Sequence, residues 1–563
     1  MAVFHFPDTT GTVPVILSSV SPLINRLLIA RGILDTVSAE VFLTPNYETQ
    51  LHSPLLLHDM EKAVVRVKEA ITQNEQIAIF SDYDCDGIPG AVVLHDLFKA
   101  IKYEHFQNYI PHRHYEGFGL STVAIDRLAG TGVKLIITID CGTSNVNEVK
   151  YAKEKGIDVI ITDHHEPEDE LPAAVAVVNP KLGAYPFPYL CGAATVFKLA
   201  QAILMNLNHE VKPGWEKWWL DMVGIATIAD MVPLVGENRV LAHYGLQVLR
   251  KSRRPGLQQL LKKARIDQRY LTEEDVGFTI GPRINAASRM DTPEDAFYML
   301  SETDAAKAGA RVEHLERLNV DRKTQVALMT KDLHKRMSTL EEIPAVLVMG
   351  HIDWRPSLVG LAANKIAEEY GRPAFLWGTD GNGVYKGSCR SGGTVSVVKL
   401  MQSAKEVFIE AGGHHASGGF SVKEEYIFTF GERLNQAMAE LGAVAAVAEA
   451  IHIDAELHLD DVDELLIKQL EQLAPYGTGN LKPLFAFKQV TPSAVEMFGK
   501  TKEHTKLTFT TERGRIEAIA FFKTPEQFEK VPQEGIPITM VAHVEHSFFM
   551  GRQQIRLRIV EIL

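Results

Sequence analysis

The chain has 563 residues, is 46% apolar and carries a formal net charge of −13. At about 100–200 residues per domain, that length asks for three or four domains with packed cores, and the acidic balance argues against a protein coated overall with nucleic acid while leaving room for a local basic site. Four cysteines (Cys85, Cys141, Cys191 and Cys389) form no C-x-x-C pair, which argues against a zinc knuckle and makes reduced thiols in the cytoplasm the expectation.

The N-terminus, MAVFHFPDTT, has no basic segment leading into an apolar run, and no run of about 18 uncharged apolar residues exists, so neither a secretory leader nor a membrane span is expected. Residues 1–50 read as a helical lead-in, with one helix over 22–33 that ends at Gly32 and a second piece over 39–43. From 51 to 240 strands alternate with helices. A helix over 60–72 precedes a buried strand over 77–80, which ends abruptly in Asp82, Asp84 and Asp86. A helix is predicted over 91–102, and strands over 133–139, 159–162 and 175–178. The first of these three strands stops at Asp140, the second at Asp163-His164-His165, and the third at Asn179. Helices over 146–155, 193–206 and 218–229 complete the rhythm of a parallel sheet covered on both faces.

Three carboxylates within five residues repel one another and resist desolvation, and a hard divalent cation relieves both. A single Asp after a strand is often only a helix cap. Here Asp82, Asp84, Asp86, Asp140, His164 and His165 all follow strands closely, and open parallel sheets bind ligands at that edge. Carboxylates with imidazole and no thiolate suit Mn²⁺ or Mg²⁺. Asp230 ends a helix, where the macrodipole disfavours an acid, so a metal or an arginine must hold it.

A locally basic run over 250–269, with Asp267 its only acid, reads equally as a solvated helical face or a phosphate-contacting surface. The charged stretch over 313–335 reads as a long amphipathic connector. A second α/β region over 342–436 opens on a strand at 345–349 and contains two glycine-rich loops, KGSCRSGG around Arg390 and GGHHASGG with His414 and His415. Exposed amides, serine hydroxyls and a guanidinium make a phosphate cradle. Residues 437–450 read as an alanine-rich helix. Strand patterns over 505–510, 515–522, 536–545 and 554–562 suit a small OB-like barrel, with Lys506, Phe548, Phe549, Arg552, Arg556 and Arg558 as candidate strand contacts or as ordinary barrel residues.

SDYDCDG, IPHR with EGFGL, DCGT, TDHH, ADMVPLVGENR, GPRINAASR, GSCRS, GGHHASGG and LAPYGTGN occur in that order. On these motifs the chain resembles, over nearly its whole length, the RecJ family of the DHH phosphoesterase superfamily. The resemblance implies an α/β protein with a parallel-sheet DHH domain, a long connecting helix, a second α/β DHHA1 domain and a C-terminal OB-like β-barrel, divided at 1–50, 51–300, 301–340, 341–450 and 451–563. It implies a single-stranded-DNA-specific 5′→3′ exonuclease of DNA repair and recombination that releases 5′-mononucleotides by two-metal hydrolysis with Mn²⁺ or Mg²⁺. The implied metal ligands are Asp82, Asp84, Asp86, Asp140, His164 and Asp230, and the catalytic set is Asp84, Asp86, Asp140, His164 and His165. Arg113, Arg283, Ser388, Arg390 and His414 are the implied contacts to substrate and its 5′-phosphate. The implied partner is single-stranded DNA, with a single-strand binding protein and a helicase as protein partners, and the chain is expected to be a cytoplasmic monomer.

The chain departs from the family pattern at Pro89 and Gly90, at Ser288 in place of the glycine of NAAGR, and at Trp354-Arg355-Pro356-Ser357 in place of WHPG. Two other readings compete: a DHH phosphodiesterase of short oligonucleotides or cyclic dinucleotides, and a non-catalytic single-strand-binding replication scaffold. The IPHR and GPRINAA motifs and the barrel argue against the first. The second should have lost metal ligands, and every candidate position is filled.

Overall fold

A computed structural model describes residues 4–6, 14–379, 384–393, 395–441, 451–549 and 552–563. The chain divides into two compact units, one of His52–Asp230 with Tyr244–Ala448, the other of Met1–Leu51, Met231–His243 and Glu449–Leu563.

In the first unit, β1 (Gln76–Ser81), β2 (Phe106–Tyr109), β3 (Val133–Ile139), β4 (Asp158–Thr162) and β5 (Ala176–Val178) form an all-parallel sheet in the order β2-β1-β3-β4-β5. The apolar runs of β1 and β3 are wholly buried, as a sheet with helices on both faces requires. The edge strand β2 escapes prediction because its sequence, FQNY, is half-buried throughout and carries no apolar run. Helix α1 (Gly87–Ala100) begins at Gly87 rather than Ala91, since Pro89 falls in the first turn, where a missing N–H leaves no hydrogen bond broken. Helices α2 (Gly192–Asn206), α3 (Leu220–Ala229) and α4 (Gly281–Met290) follow.

The connector is α5 (Ala305–Met337), 33 residues long and capped by the Asp304 carboxylate, which accepts from the Ala306 and Lys307 amides. Its first half buries Ala308, Val312 and Leu315. Its second half buries Met329, Leu333 and Met337 in a core shared with Leu347, Trp354 and Leu358. One rigid helix is thus built into two lobes. The second lobe holds β6 (Leu347–Gly350), α6 (Pro356–Tyr370), β7 (Ala374–Thr379), β8 (Tyr385–Arg390), β9 (Phe408–Gly413) and β10 (Ser417–Val422). Its sheet order is β9-β10-β8-β7-β6, with β6–β7 parallel and the other pairs antiparallel. Of the helix predicted over 437–450, residues 437–440 belong to a helix Phe430–Glu440, and 442–450 lie outside the described residues.

Three cations of the basic run over 250–269 are held in ion pairs. Arg254 is held by Asp221 and Asp96 at 2.8 and 2.7 Å, Lys263 by Glu313 at 2.7 Å and Arg269 by Asp267 at 2.6 Å. These cations serve the fold, and a phosphate-contacting surface has no support from them.

In the second unit, β11 (Ala455–Glu456), β12 (Phe485–Val490), β13 (Ala494–Phe498), β14 (His504–Thr511), β15 (Gly514–Ala520), β16 (Ile538–Phe549) and β17 (Arg552–Ile562) pair in the order β11-β12-β16-β17-β15-β14-β13. The expected barrel is therefore a seven-stranded sheet whose end strands, β11 and β13, are not paired with each other among the described residues. Phe485, Phe487, Phe509 and Met540 form its core, and Ile24, Leu27 and Leu28 from the helix Pro22–Ala30 are buried in that same core. The helical lead-in packs within this unit. Two of the motifs have structural work here. Arg239, of ADMVPLVGENR, donates to the carbonyls of Phe42, Gln472, Leu473 and Ala474 at 2.8–3.2 Å. Asn480, which closes LAPYGTGN, donates to Leu473 and Pro475 and accepts from Arg31.

The candidate strand contacts Arg556 and Arg558 face the buried Glu545, at 2.6 and 3.5 Å, and Lys482 joins them at 2.7 Å. Lys506 is paired with Glu496 at 2.6 Å. The side chains of Phe548, Phe549 and Arg552 lie outside the described residues. Burial alone would raise the Glu545 pKa, but Lys482 and then Arg558 overcome it and hold the carboxyl at about 2. Because this folded-state value lies below the ordinary one, the stabilisation is complete above about pH 4.5 and is lost as pH falls towards 2. The difference from the ordinary value corresponds to about 3 kcal/mol. Glu545→Gln is expected to destabilise this unit by about that amount at pH 7 and to flatten the acid limb between pH 4.5 and 2 in urea melts. Superimposable melts of variant and wild type at neutral pH would contradict it.

Candidate active site

Parallel neighbours end in step, so β1, β3 and β4 deliver their polar residues side by side. The Asp82 amide donates to the Ile139 carbonyl, that of Asp140 to Thr162 and that of Asp163 to Val178, at 2.9–3.1 Å. This is the edge at which open parallel sheets bind ligands. Asp140, at the centre, adopts φ of +61°. Asp tolerates this left-handed backbone at a cost of about 1–2 kcal/mol, a strain typical of functional sites.

Asp86 opens α1, and its carboxylate accepts from the Gly192 and Ala193 amides at 2.6 and 2.7 Å. The N-terminus of α2 thus holds an acid that belongs to α1, as the helix dipole favours. Gly192 permits this approach, since a Cβ there would stand 2.5 Å from the Asp140 Cβ. Asp84 accepts from the amides of Asp86 and Gly87. Asp230 follows the last turn of α3, as the sequence indicated. His164 Nε2 stands among these acids, 3.1 Å from Asp140, 3.6 Å from Asp86 and 3.7 Å from Asp230.

The acids are held where charge is costly. Burial raises the pKa of Asp82, Asp86 and Asp140, and neighbouring carboxylates add to it. Burial, then Asp86 and Asp84, push Asp230 up to about 9. One buried oxygen each of Asp82 and Asp140 has no hydrogen-bond partner. Three sets of donor atoms, each within 4.8 Å of one another, are Asp82-Asp84-Asp140, Asp86-His164-Asp230 and Asp140-His164-His165. Unpartnered, crowded carboxylate oxygens with one imidazole fit hard divalent ions, and Asp140 is common to two sets. All four cysteines are buried, as small packing residues.

Asp163 was not among the expected site residues, although it begins the TDHH triplet's acidic-imidazole run. It accepts from the Thr143 amide at 2.9 Å, the His164 amide at 2.7 Å and His165 Nδ1 at 2.7 Å. Against burial, the bond from His165 and the Thr143 amide hold it well below the usual carboxylate range. In return, and again against burial, Asp163 raises the pKa of His165, whereas burial lowers that of His164. Asn179 donates to the His165 carbonyl at 2.9 Å and fixes the loop.

The acids form one side of a cavity of about 260 Å³, whose other lining residues include Tyr83, Arg113, Phe118, Asn285 and Arg289. Arg113 lies over the Tyr83 ring at 4.8 Å. Arg289 is half-buried, and desolvation, then Arg113 and Arg322, pull its pKa down to about 9 while Asp84 opposes. Such crowded guanidiniums are relieved by an anion. Arg289 is fixed at the join of the lobes. Its Nη1 donates to the Ser357 carbonyl at 2.7 Å, and Ser357 Oγ donates to the Arg289 carbonyl at 2.7 Å. Arg355 donates to the Met290 carbonyl at 3.3 Å. The departures at 355 and 357 therefore clasp the end of α4 to the start of α6. Ser388 and Arg390 of β8 lie together beside Gly360 of α6, and Arg390 is close enough for its charge to bear on Arg289.

Two expected contacts lie elsewhere. Arg283 pairs with Glu316 of α5 at 2.7 and 3.2 Å and donates to the Thr279 carbonyl. His414 sits exposed beyond β9, its amide donating to the Ser417 carbonyl. Neither lines the cavity, and Ser388 and Arg390 stand outside its lining as well, so Arg113 alone of the five expected contacts is part of it. Arg289 and Asn285 were missed, although both stand in GPRINAASR. Residues four apart share a helix face, so Asn285 and Arg289 point the same way, while Arg283, two before Asn285, points away.

A profile of the DHH family, N-terminal domain, matches residues 76–227, the DHHA1 domain matches 344–444 and the RecJ OB domain matches 453–561. The chain is 34% identical over 544 residues to the single-stranded-DNA-specific exonuclease RecJ of Bacillus subtilis, covering 96% of this chain and 68% of that one. It is 30% identical to the exonuclease of the same name from Haemophilus influenzae, covering 89% of each. The crystal structure of RecJ in complex with Mn²⁺ from Thermus thermophilus superposes with a TM-score of 0.80 at 26% identity, over 97% of this chain and 76% of that one. Three matched domains in the order the motifs implied, together with these identities, establish that the chain belongs to the RecJ family of DHH proteins.

Proposed function

We propose that the chain is a metal-dependent exodeoxyribonuclease that degrades single-stranded DNA from its 5′ end and releases 5′-mononucleotides. One observation carries the reading: a single cavity joins buried carboxylate oxygens that accept no hydrogen bond on one side to crowded guanidiniums on the other. The first side fits metal ions, the second a phosphate.

In this reading Asp82, Asp84, Asp86, Asp140, His164 and Asp230 would hold two Mn²⁺ or Mg²⁺ ions. When bound, the ions supply a positive clamp on the attacking and leaving oxygens of an in-line displacement and acidify water. Asp86, fixed by the start of α2, and His164 keep the donor set rigid before substrate arrives. His165, whose Nδ1 is hydrogen-bonded to Asp163, faces the cavity and serves as the proton donor to the departing 3′-oxygen. Arg113, Arg289 and Arg390, with Ser388, hold the 5′-phosphate. Cleavage leaves a new 5′-phosphate on the shortened strand, so the same residues serve the next round. A pocket for a terminal phosphate sets the register from the end, which makes the enzyme an exonuclease.

The proposal includes the division at 1–50, 51–300, 301–340, 341–450 and 451–563, a role in DNA repair and recombination in the cytoplasm, and association with a single-strand binding protein and a helicase by a monomeric enzyme. No helix among the described residues is long and apolar enough to cross a membrane.

A substrate chase separates this from a phosphodiesterase of short substrates. A long single strand, the same sequence as a duplex, a dinucleotide and a cyclic dinucleotide are each incubated with Mn²⁺. The expected result is complete conversion of the long single strand to mononucleotides, with the duplex intact. Hydrolysis confined to the dinucleotides would overturn the strand reading, and binding of the long strand without cleavage would favour a scaffold.

A further inference from the structure

We infer that Phe118 is the stacking platform for a nucleobase beside the scissile phosphodiester; this rests on the proposed strand hydrolysis. Phe118 is half exposed, yet it lines a cavity otherwise walled mainly by acids, imidazoles and guanidiniums. Its ring stands edge-on to the His165 ring, 5.5 Å between centroids. It is carried between Gly117 and Gly119, at φ of +82° and +79°, where any other residue would be strained.

The loop is anchored on both sides. Before Phe118, the Glu116 carboxylate accepts from the His112 amide and the Tyr109 hydroxyl. After it, the Leu120 amide donates to Asn145 Oδ1 at 3.1 Å, and a Cβ at 119 would lie only 2.7 Å from that oxygen. Two anchors and two left-handed glycines thus present a ring that the fold does not cover. Its neighbour His165 faces the position where the bond breaks, so a ring laid on Phe118 belongs to a nucleotide flanking that bond. Stacking on an aromatic face accepts all four bases, which an enzyme that consumes a strand of any sequence requires. Phosphates then meet the arginines and ions while a base meets the exposed ring of Phe118.

The test combines Phe118→Ala and Phe118→Trp with single-stranded oligonucleotides carrying one abasic site, placed in turn at positions one to four from the 5′ end. Phe118→Ala is expected to lower kcat/KM on intact DNA about 5- to 150-fold, the range for losing one base–aromatic stack. Phe118→Trp is expected to stay within about threefold of wild type. With an abasic site at position one or two, wild type falls and Phe118→Ala costs nothing more; with the site at three or four, the full penalty remains. Mn²⁺ affinity is expected to be the same in all three proteins. A penalty independent of where the base is missing, or no penalty at all, would overturn the inference. Inactivity of the wild type on long single strands would instead sink the reading of function on which it rests.

Discussion

Asp140→Asn is expected to lower kcat for strand hydrolysis at least about 10³-fold, with little change in KM. In the proposed reading the substitution removes a metal ligand and with it charge stabilisation worth several kcal/mol, and about 4 kcal/mol is a thousandfold. The substitution suits the question because Asn also tolerates φ of +61°, so the backbone that places the residue survives. The Asp140 carboxylate has one buried oxygen without a hydrogen-bond partner, and its pKa is raised by burial and then by Asp86 and Asp84. Both features point to a cation as the missing partner. Calorimetric titration with Mn²⁺ is therefore expected to show weakened binding in the variant. In thermal melts, Mn²⁺ at a hundred times its Kd is expected to stabilise wild type by about 2.7 kcal/mol, an effect that EDTA removes and that is diminished in the variant. Activity within tenfold of wild type would contradict the ligand role.

Arg289→Ala is expected to cut kcat/KM about 30- to 1000-fold on 5′-phosphorylated single strands and to act mainly through KM. Truncating one partner of a buried charged contact costs about 2–4 kcal/mol. The loss is expected to shrink on a 5′-hydroxyl strand, which lacks the phosphate that Arg289 is proposed to hold. Comparing both substrates with both proteins isolates that coupling. Arg283→Ala is the informative companion, since its guanidinium pairs with Glu316. It is expected to alter stability without changing the preference for a 5′-phosphate. Equal losses for Arg289→Ala on the two substrates would contradict a phosphate role.

The metal side of the site was legible in the sequence for a physical reason. Parallel strands announce themselves as short apolar runs, and the residue after each run lies on one known edge, so Asp82, Asp140 and His164 could be placed together without a structure. Asp230 was legible as an acid set against a helix dipole. The phosphate side was not, because it depends on which way helical side chains point and on partners distant in the chain. Arg283 and Arg289 share one motif, yet Glu316 of α5 takes the first and the cavity takes the second. Gly192 shows the same limit. Its reason is a close approach to Asp140, 52 positions earlier, which no local pattern reveals. In the C-terminal unit, strand alternation identified the four longest strands, but not the helices of the lead-in that complete its core. It also could not show that Arg556 and Arg558 are engaged by Glu545.

The most direct test of the account follows a long single strand labelled at one end or the other, in Mn²⁺. With the label at the 5′ end, the first labelled product is expected to be the mononucleotide, with no labelled intermediates. With the label at the 3′ end, a descending ladder is expected. Labelled internal fragments from the 5′ end, or a mononucleotide released first from the 3′ end, would contradict a site that reads a terminal 5′-phosphate and cuts one nucleotide away.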